Sequence, residues 1–254
     1  MIFGIDLSAL LPFIAVGFAA QMVDGALGMA FGVINSTLLV SVMGVPPAQA
    51  SAMVHTVETF TTAASGASHI WHKNVNWKLF GRLLIPGVIG GVLGAYVLSN
   101  IDASIARPFV MTYLASIGVY LLYRAWRGKV EPREPKIIEP LGLAGGFLDA
   151  AGGGGWGPVV TSNLLVQGAS PRTTIGTVNT VEFFLTATVS AAFIATLGWA
   201  AFSLHTVGIL IGGLIAAPFG GLLAKRVPTR ALMTLVGALL TLTSAYSVYV
   251  ALTR

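Results

Sequence analysis

Val54-His55-Thr56-Val57-Glu58-Thr59-Phe60 and Val178-Asn179-Thr180-Val181-Glu182-Phe183-Phe184 match at five of seven positions, 124 residues apart. The match extends outward. Upstream, Asp24 pairs with Asp149, Phe31-Gly32 with Trp156-Gly157, and Pro46 with Pro171, at an offset of 125. Downstream, Gly90-Gly91 pairs with Gly212-Gly213. Acids, glycines and prolines keep their order through both halves, so the chain reads as an internal repeat. The halves are 1–123 and 140–254. Between them, 124–139 holds five basic residues, Pro132 and Pro135, and reads as a linker.

Both copies of the motif are set in lipid-like sequence. Of 254 residues, 55% are hydrophobic and only 9% are Asp, Glu, Lys or Arg, against about 25% in an ordinary soluble domain. Mean hydropathy is +0.84. So few charges cannot cover a soluble fold of this size, and most of the surface faces a bilayer. A secreted disulfide scaffold, a nucleic-acid module and a cytosolic enzyme are excluded. With no Cys, there is no thiolate chemistry and no Cys metal site. The net charge of +5 fits Lys and Arg in cytoplasmic loops. Residues 1–20 carry Asp6 but no Lys or Arg, so they are expected to be mature structure rather than a signal peptide.

Six stretches are expected to span the membrane: 51–71, 79–99, 104–123, 173–197, 204–223 and 231–250. Two more apolar regions are interrupted. Region 8–43 is broken at Gln21, Asp24, Gly25 and Gly28, and region 141–166 at Asp149 and the run Gly152-Gly153-Gly154-Gly155. Each is expected to form two short half-helices around a glycine break. The fold class is therefore an all-α polytopic membrane protein of two repeats, each a broken segment followed by three spanning helices.

Loop charges orient the repeats. Lys73, Lys78 and Arg82 follow the first motif helix, whereas Gly198–Ser203 after the second carries no charge. The next loop of the first half holds Asp102 and Arg107; its partner holds Lys225, Arg226 and Arg230. Corresponding loops then lie on opposite sides, and the repeats are inverted. The 124–139 linker is expected in the cytoplasm of a bacterial inner-membrane protein, with both termini periplasmic. Inverted repeats with broken segments are a secondary-transporter pattern, with a substrate site where the breaks meet near the midplane. Half-helix N-termini there offer N–H groups and positive dipole ends to an anion.

The residues also resemble a known family, the sulfite exporter TauE/SafE family or TSUP permeases. The resemblance spans nearly the whole chain. It rests on Gly142-Leu143-Ala144-Gly145 through Gly152–Gly155, then Pro158, Pro171 and Gly176-Thr177-Val178-Asn179. It implies a permease for sulfur-containing anions such as sulfite or organosulfonates. The first half departs from the pattern, with Gln21, Asp24 and Leu27 in the break and His55 at the place of Asn179.

Glu58 and Glu182 stand at equivalent depths inside spans, where an ionisable group is a functional hypothesis by default. They are candidates for proton coupling or for organising the site, against a stapling role between helices. His55, one turn before Glu58, shares its face and can carry a proton. Asn179 offers an amide donor. Thr56 and Thr180 offer hydroxyls, set against the tendency of threonine to bond its own helix backbone. Asp24 and Asp149 are read as caps of half-helix amides or as groups that titrate with transport. Gln21, Gly25, Gly28, Gly153, Gly154, Gly155 and Trp156 complete the substrate-binding set, the glycines as a nest of amides or as close packing.

His69 and His72 lack a third ligand, and with Trp71 and Trp77 they mark an interface. No metal, no cofactor and no catalytic constellation is expected. The expected partners are a small sulfur oxyanion or sulfonate, the bilayer and, as an option, a second copy in a homodimer. The rival reading is a cation transporter, for Na⁺ or a divalent metal, using the buried acids.

Overall fold

The computed structural model describes residues 7–27, 29–127, 133–199, 204–226 and 229–253. Every element there is helical. The first half holds α1 (Leu7–Leu27), α2 (Phe31–Thr37, running on as a π-helical turn over Leu38–Val42), α3 (Pro47–Trp71), α4 (Trp77–Asn100) and α5 (Ala103–Trp126). The second half holds α6 (Glu139–Gly152), a π-helical turn (Gly157–Thr161) leading into α7 (Ser162–Val166), α8 (Pro171–Leu197), α9 (Leu204–Arg226) and α10 (Thr229–Thr253).

The six expected spans coincide with α3, α4, α5, α8, α9 and α10. Among the described residues, four stretches are long and apolar enough to cross a membrane: Trp77–Asn100, Ala103–Trp126, Thr173–Leu197 and Met233–Val250. At 25 residues, α3 reaches about 37 Å and could cross as well. It is less apolar because it carries His55, Glu58 and four threonines.

The first interrupted region departs from the expectation of two short half-helices. With 21 residues, α1 is about 31 Å long and continues through Asp24 and Gly25. Its extra length lies at its start. The equivalent stretch before α6 holds Pro135 and is not helical. The second region does form two short pieces. Gly28 lies outside the described residues.

The exterior is that of a protein in lipid. On α4, Ile85, Ile89, Val92, Leu93 and Tyr96 are exposed, whereas Gly87, Gly90, Gly91 and Gly94 are buried. Bulky apolar groups outside and glycine inside is the reverse of a soluble helix, and it lets backbones approach closely. A Cβ on Gly90 would run into the Leu143 carbonyl of α6, and one on Gly212 into the Ile14 carbonyl of α1.

The packing treats the halves alike. Along their lengths α1 packs on α9, α4 on α6, α3 on α8 and α5 on α10. Exchanging the halves turns the first two contacts into each other and the last two into themselves. On the α5–α10 seam Gly118 and Gly237 face one another, each 2.8 Å from the other's carbonyl oxygen if given a Cβ. Asp102 caps α5 by accepting from the Ser104 amide at 2.8 Å and hydroxyl at 2.6 Å. Those bonds hold its carboxyl below the usual range.

Candidate functional site

The two breaks meet. A Cβ on Gly32 would lie 2.9 Å from Gly154 Cα, and a Cβ on Gly157 would lie 2.7 Å from Met29 Cβ. At the repeat offset of 125, Gly32 is the counterpart of Gly157 and Met29 of Gly154. The same crossing is therefore made twice. It needs unusual backbone: Gly153, Gly154 and Gly155 have φ of +75°, +128° and +146°, and Ala30 has +107°. Positive φ is open to glycine at little cost, which accounts for the glycine run.

Each break is closed by its aspartate. Asp24 Oδ1 accepts from the Phe31 amide at 3.2 Å. Asp149 Oδ1 accepts from the Trp156 amide at 2.8 Å. Both reach seven residues ahead to the start of the following helix, where amides lack intrahelical partners. The carbonyl end of α6 is also tied down. Gly154 N donates to Asp149 O at 2.7 Å, Ser51 Oγ donates to Ala150 O at 2.7 Å, and Ser36 Oγ donates to Gly153 O.

A small cavity opens beside this crossing, walled by Ala30–Val33 and Gly155–Pro158 together with Asp24, Glu58, Thr61, Thr62, Asn179 and Glu182. Its volume of about 20 Å³ has room for about one or two water molecules. Glu58 is buried, and its Oε2 has no hydrogen-bond partner in the protein. The Gly32 backbone presses on its other oxygen, 2.8 Å from a Cβ built there. Asn179 accepts from Ser65 Oγ at 3.3 Å and donates to Ile175 O at 3.0 Å. Trp156 is wholly buried, with its ring against Gly87 and its Nε1 donating to Val178 O at 3.3 Å.

His55 lies behind the cavity rather than in its wall. It is fully buried. Its Nδ1 stands 2.7 Å from Ser51 O and its Nε2 3.0 Å from Asp149 Oδ2. A carbonyl only accepts, so Nδ1 carries a proton and donates to it. The Nε2–Asp149 contact joins α3 to α6 across the break. Breaking a buried pair of this kind by removing one partner costs about 3–5 kcal/mol. Asp149→Ala is expected to lower stability by that order in a denaturant titration of the detergent-solubilised protein. Asp149→Asn, which keeps an acceptor for Trp156 and a donor for Nε2, should lose less than half as much. Equal losses would show that the bonds across the break carry little.

The cavity thus gathers Asp24, Glu58, Asn179, Glu182, Gly155 and Trp156 from the expected set. Asp149 and His55 adjoin it, as do Gly153 and Gly154 through the crossing. Gly25 sits in the last turn of α1. Thr56 and Thr180 are not in the wall; they donate to Ala52 O and Gly176 O of their own helices, at 2.8 and 2.7 Å. Gln21 is buried near Gly213, its Oε1 unpartnered. Thr61 and Thr62 were not anticipated, although spacings of three and four from Glu58 place them on its face. Nor was Tyr113, whose buried hydroxyl without a partner lies over Gly155. Among the described residues no three His, Asp or Glu side chains cluster as a metal-ligand set.

Inward-facing carboxylates, paired helix breaks and a lipid-facing exterior define a polytopic membrane transporter rather than an enzyme. The pattern of the family described as Sulfite exporter TauE/SafE matches residues 13–247, and the chain belongs to this family. It is 42% identical over 245 residues to the Bacillus subtilis (strain 168) "Probable membrane transporter protein YtnM", covering 93% of this chain and 81% of that one. It is 28% identical over 163 residues to a Haemophilus influenzae "Probable membrane transporter protein", covering 62% of each chain. It is 31% identical over 114 residues to the B. subtilis "Probable membrane transporter protein YunE", covering 43% of this chain and 41% of that one. No solved structure matches.

Proposed function

We propose that this protein is a proton-coupled secondary transporter of small sulfur-containing anions, sulfite or organosulfonates. It works by alternating access at the cavity between two inverted repeats, 1–123 and 140–254. The bacterial inner membrane holds it with the 124–139 linker in the cytoplasm and the termini in the periplasm. The observation that carries this reading is the doubled crossing: two capped helix starts and two glutamates around one small cavity.

Electrostatics supports coupling. Two unit charges about 5 Å apart repel by roughly 3 kcal/mol at an effective dielectric constant near 20. An anion beside Asp24, Glu58 and Glu182 is tolerated only if protons accompany it. Helix-start amides and Asn179 then supply the donors. With both glutamates protonated, the site exposes donors to the anion; with both ionised, it repels the anion and is ready to return.

The buried carboxyls of the cavity also motivate a second reading, cation transport, although among the described residues no three of them cluster as a metal-ligand set. Thermal stabilisation of purified protein separates the two. A ligand at a hundred times its Kd, bound only to the folded state, adds about 2.7 kcal/mol. Sulfite, thiosulfate or sulfoacetate is expected to raise Tm more at pH 5.5 than at 7.5, with Na⁺ inert. Stabilisation by Na⁺ alone would transfer the glutamates to a cation site.

A further inference from the structure

The α5–α10 seam ends in a group of arginines. The Arg230 guanidinium, at the start of α10, lies over the Trp126 indole at the end of α5, 3.9 Å from its centroid. The Arg127 guanidinium lies over the Tyr123 ring, 5.4 Å from its centroid. Both rings are exposed, and with exposed Val119 they form one stripe at spacings of four and three along α5. Arg124, one turn before Arg127, has a buried Nε without a partner in the protein.

A guanidinium that rests on a ring face keeps its N–H edge available to an acceptor. The ion pairs of the described residues, His55 with Asp149 and Arg82 with Glu139, use none of these three arginines. Three like charges thus share one helix end with no carboxylate paired to them among the described residues. An anion there relieves both their repulsion and their unused donors.

Two features make that anion a lipid head. Arg127 and Arg230 are exposed, so a free anion beside them would be screened by salt, whereas a phospholipid phosphate is held at that depth by its own chains. Toward the membrane centre from the arginines, Val119 of α5 and Leu235 of α10 are exposed and apolar, a surface that acyl chains cover. A second copy of the chain docked on this face about a twofold axis would instead set the same arginines against each other.

We propose that this end of the α5–α10 seam binds an anionic phospholipid, with the phosphate on Arg127 and Arg230, added charge from Arg124, and the chains along Val119 and Leu235. The guanidinium fork matches two phosphate oxygens at once, and Tyr and Trp sit at headgroup level. The site requires only that the chain lies in a bilayer, so it stands apart from the choice of transported anion.

The test is native mass spectrometry of the purified full chain, titrated in detergent with phosphatidylglycerol or phosphatidylcholine. Wild type is expected to hold phosphatidylglycerol about tenfold more tightly or better, and Arg127→Gln with Arg230→Gln to abolish that preference, at about fivefold per charge removed. Trp126→Leu keeps all three charges but removes the platform under Arg230, and should weaken binding several-fold. Lys73→Gln with Lys78→Gln removes the same charge at another loop and should cost less than about threefold. Melts without added lipid should be unchanged in all three variants, because every substituted side chain is exposed. No preference for phosphatidylglycerol in wild type, or equal losses in the arginine and lysine variants, would overturn the site in favour of general charge attraction. A dimer that forms without lipid and is lost with Arg127→Gln and Arg230→Gln would overturn it in favour of a second copy of the chain.

Discussion

Replacing Glu58 and Glu182 together by glutamine is expected to abolish transport while sparing the fold. Both carboxyls face one small cavity and are equivalent under the repeat. Glutamine keeps their shape and their capacity to donate but cannot release a proton. A step that needs that release should slow at least about a hundredfold, a barrier increase of about 2.7 kcal/mol. Folding should change little, because Glu58 Oε2 makes no hydrogen bond to the protein. Flux assays in proteoliposomes, with melts of the same preparations, check both parts. The double variant should also lose the pH dependence of whatever flux remains. Retention of wild-type rate and pH profile would remove the glutamates from coupling.

The second large effect falls on the fold. Gly154 has φ of +128°, and a Cβ there would stand 2.6 Å from Val33 N and against the Gly32 carbonyl carbon. Both neighbours are backbone, which cannot swing aside. Gly154→Ala therefore combines backbone strain with overpacking. Each is worth about 1–3 kcal/mol, so a loss of about 3–5 kcal/mol is expected, enough to prevent accumulation of folded protein at 37 °C. Gly81 is the control. It lies on the exposed face of α4 with nothing within 4 Å of a built Cβ, and Gly81→Ala should stabilise by about 1 kcal/mol through helix propensity. Comparable melts for the two variants would mean that the break is looser than the crossing requires.

Much of this was legible in the amino-acid order because it lies in residue types that physics restricts. A glycine run within an apolar stretch signals unusual backbone. An acid seven residues before the following helix marks a cap, and an acid at equal depth in both halves marks a shared site. What was missed depends on packing. Thr56 was read as a hydroxyl donor set against bonding to its own helix, and it does donate to Ala52 O, whereas Thr61 and Thr62 share the Glu58 face. The distinction is one of helical spacing, and a helix with threonine on several faces conceals it. Ser36, Ser51 and Tyr113 reach the break from α2, α3 and α5 (no local pattern announces a tertiary hydrogen bond). The length of α1 was underestimated because its extra turns lie at its start, where the equivalent stretch before α6 holds Pro135 and is not helical.

The most direct test of the central claim is flux of sulfoacetate, a permanently ionised sulfonate, into proteoliposomes loaded with a pH-sensitive dye. The account predicts saturable uptake with acidification of the lumen, both absent when Glu58 and Glu182 are glutamine. Uptake no faster than in empty vesicles, or uptake that moves no protons and survives the double substitution, would contradict it.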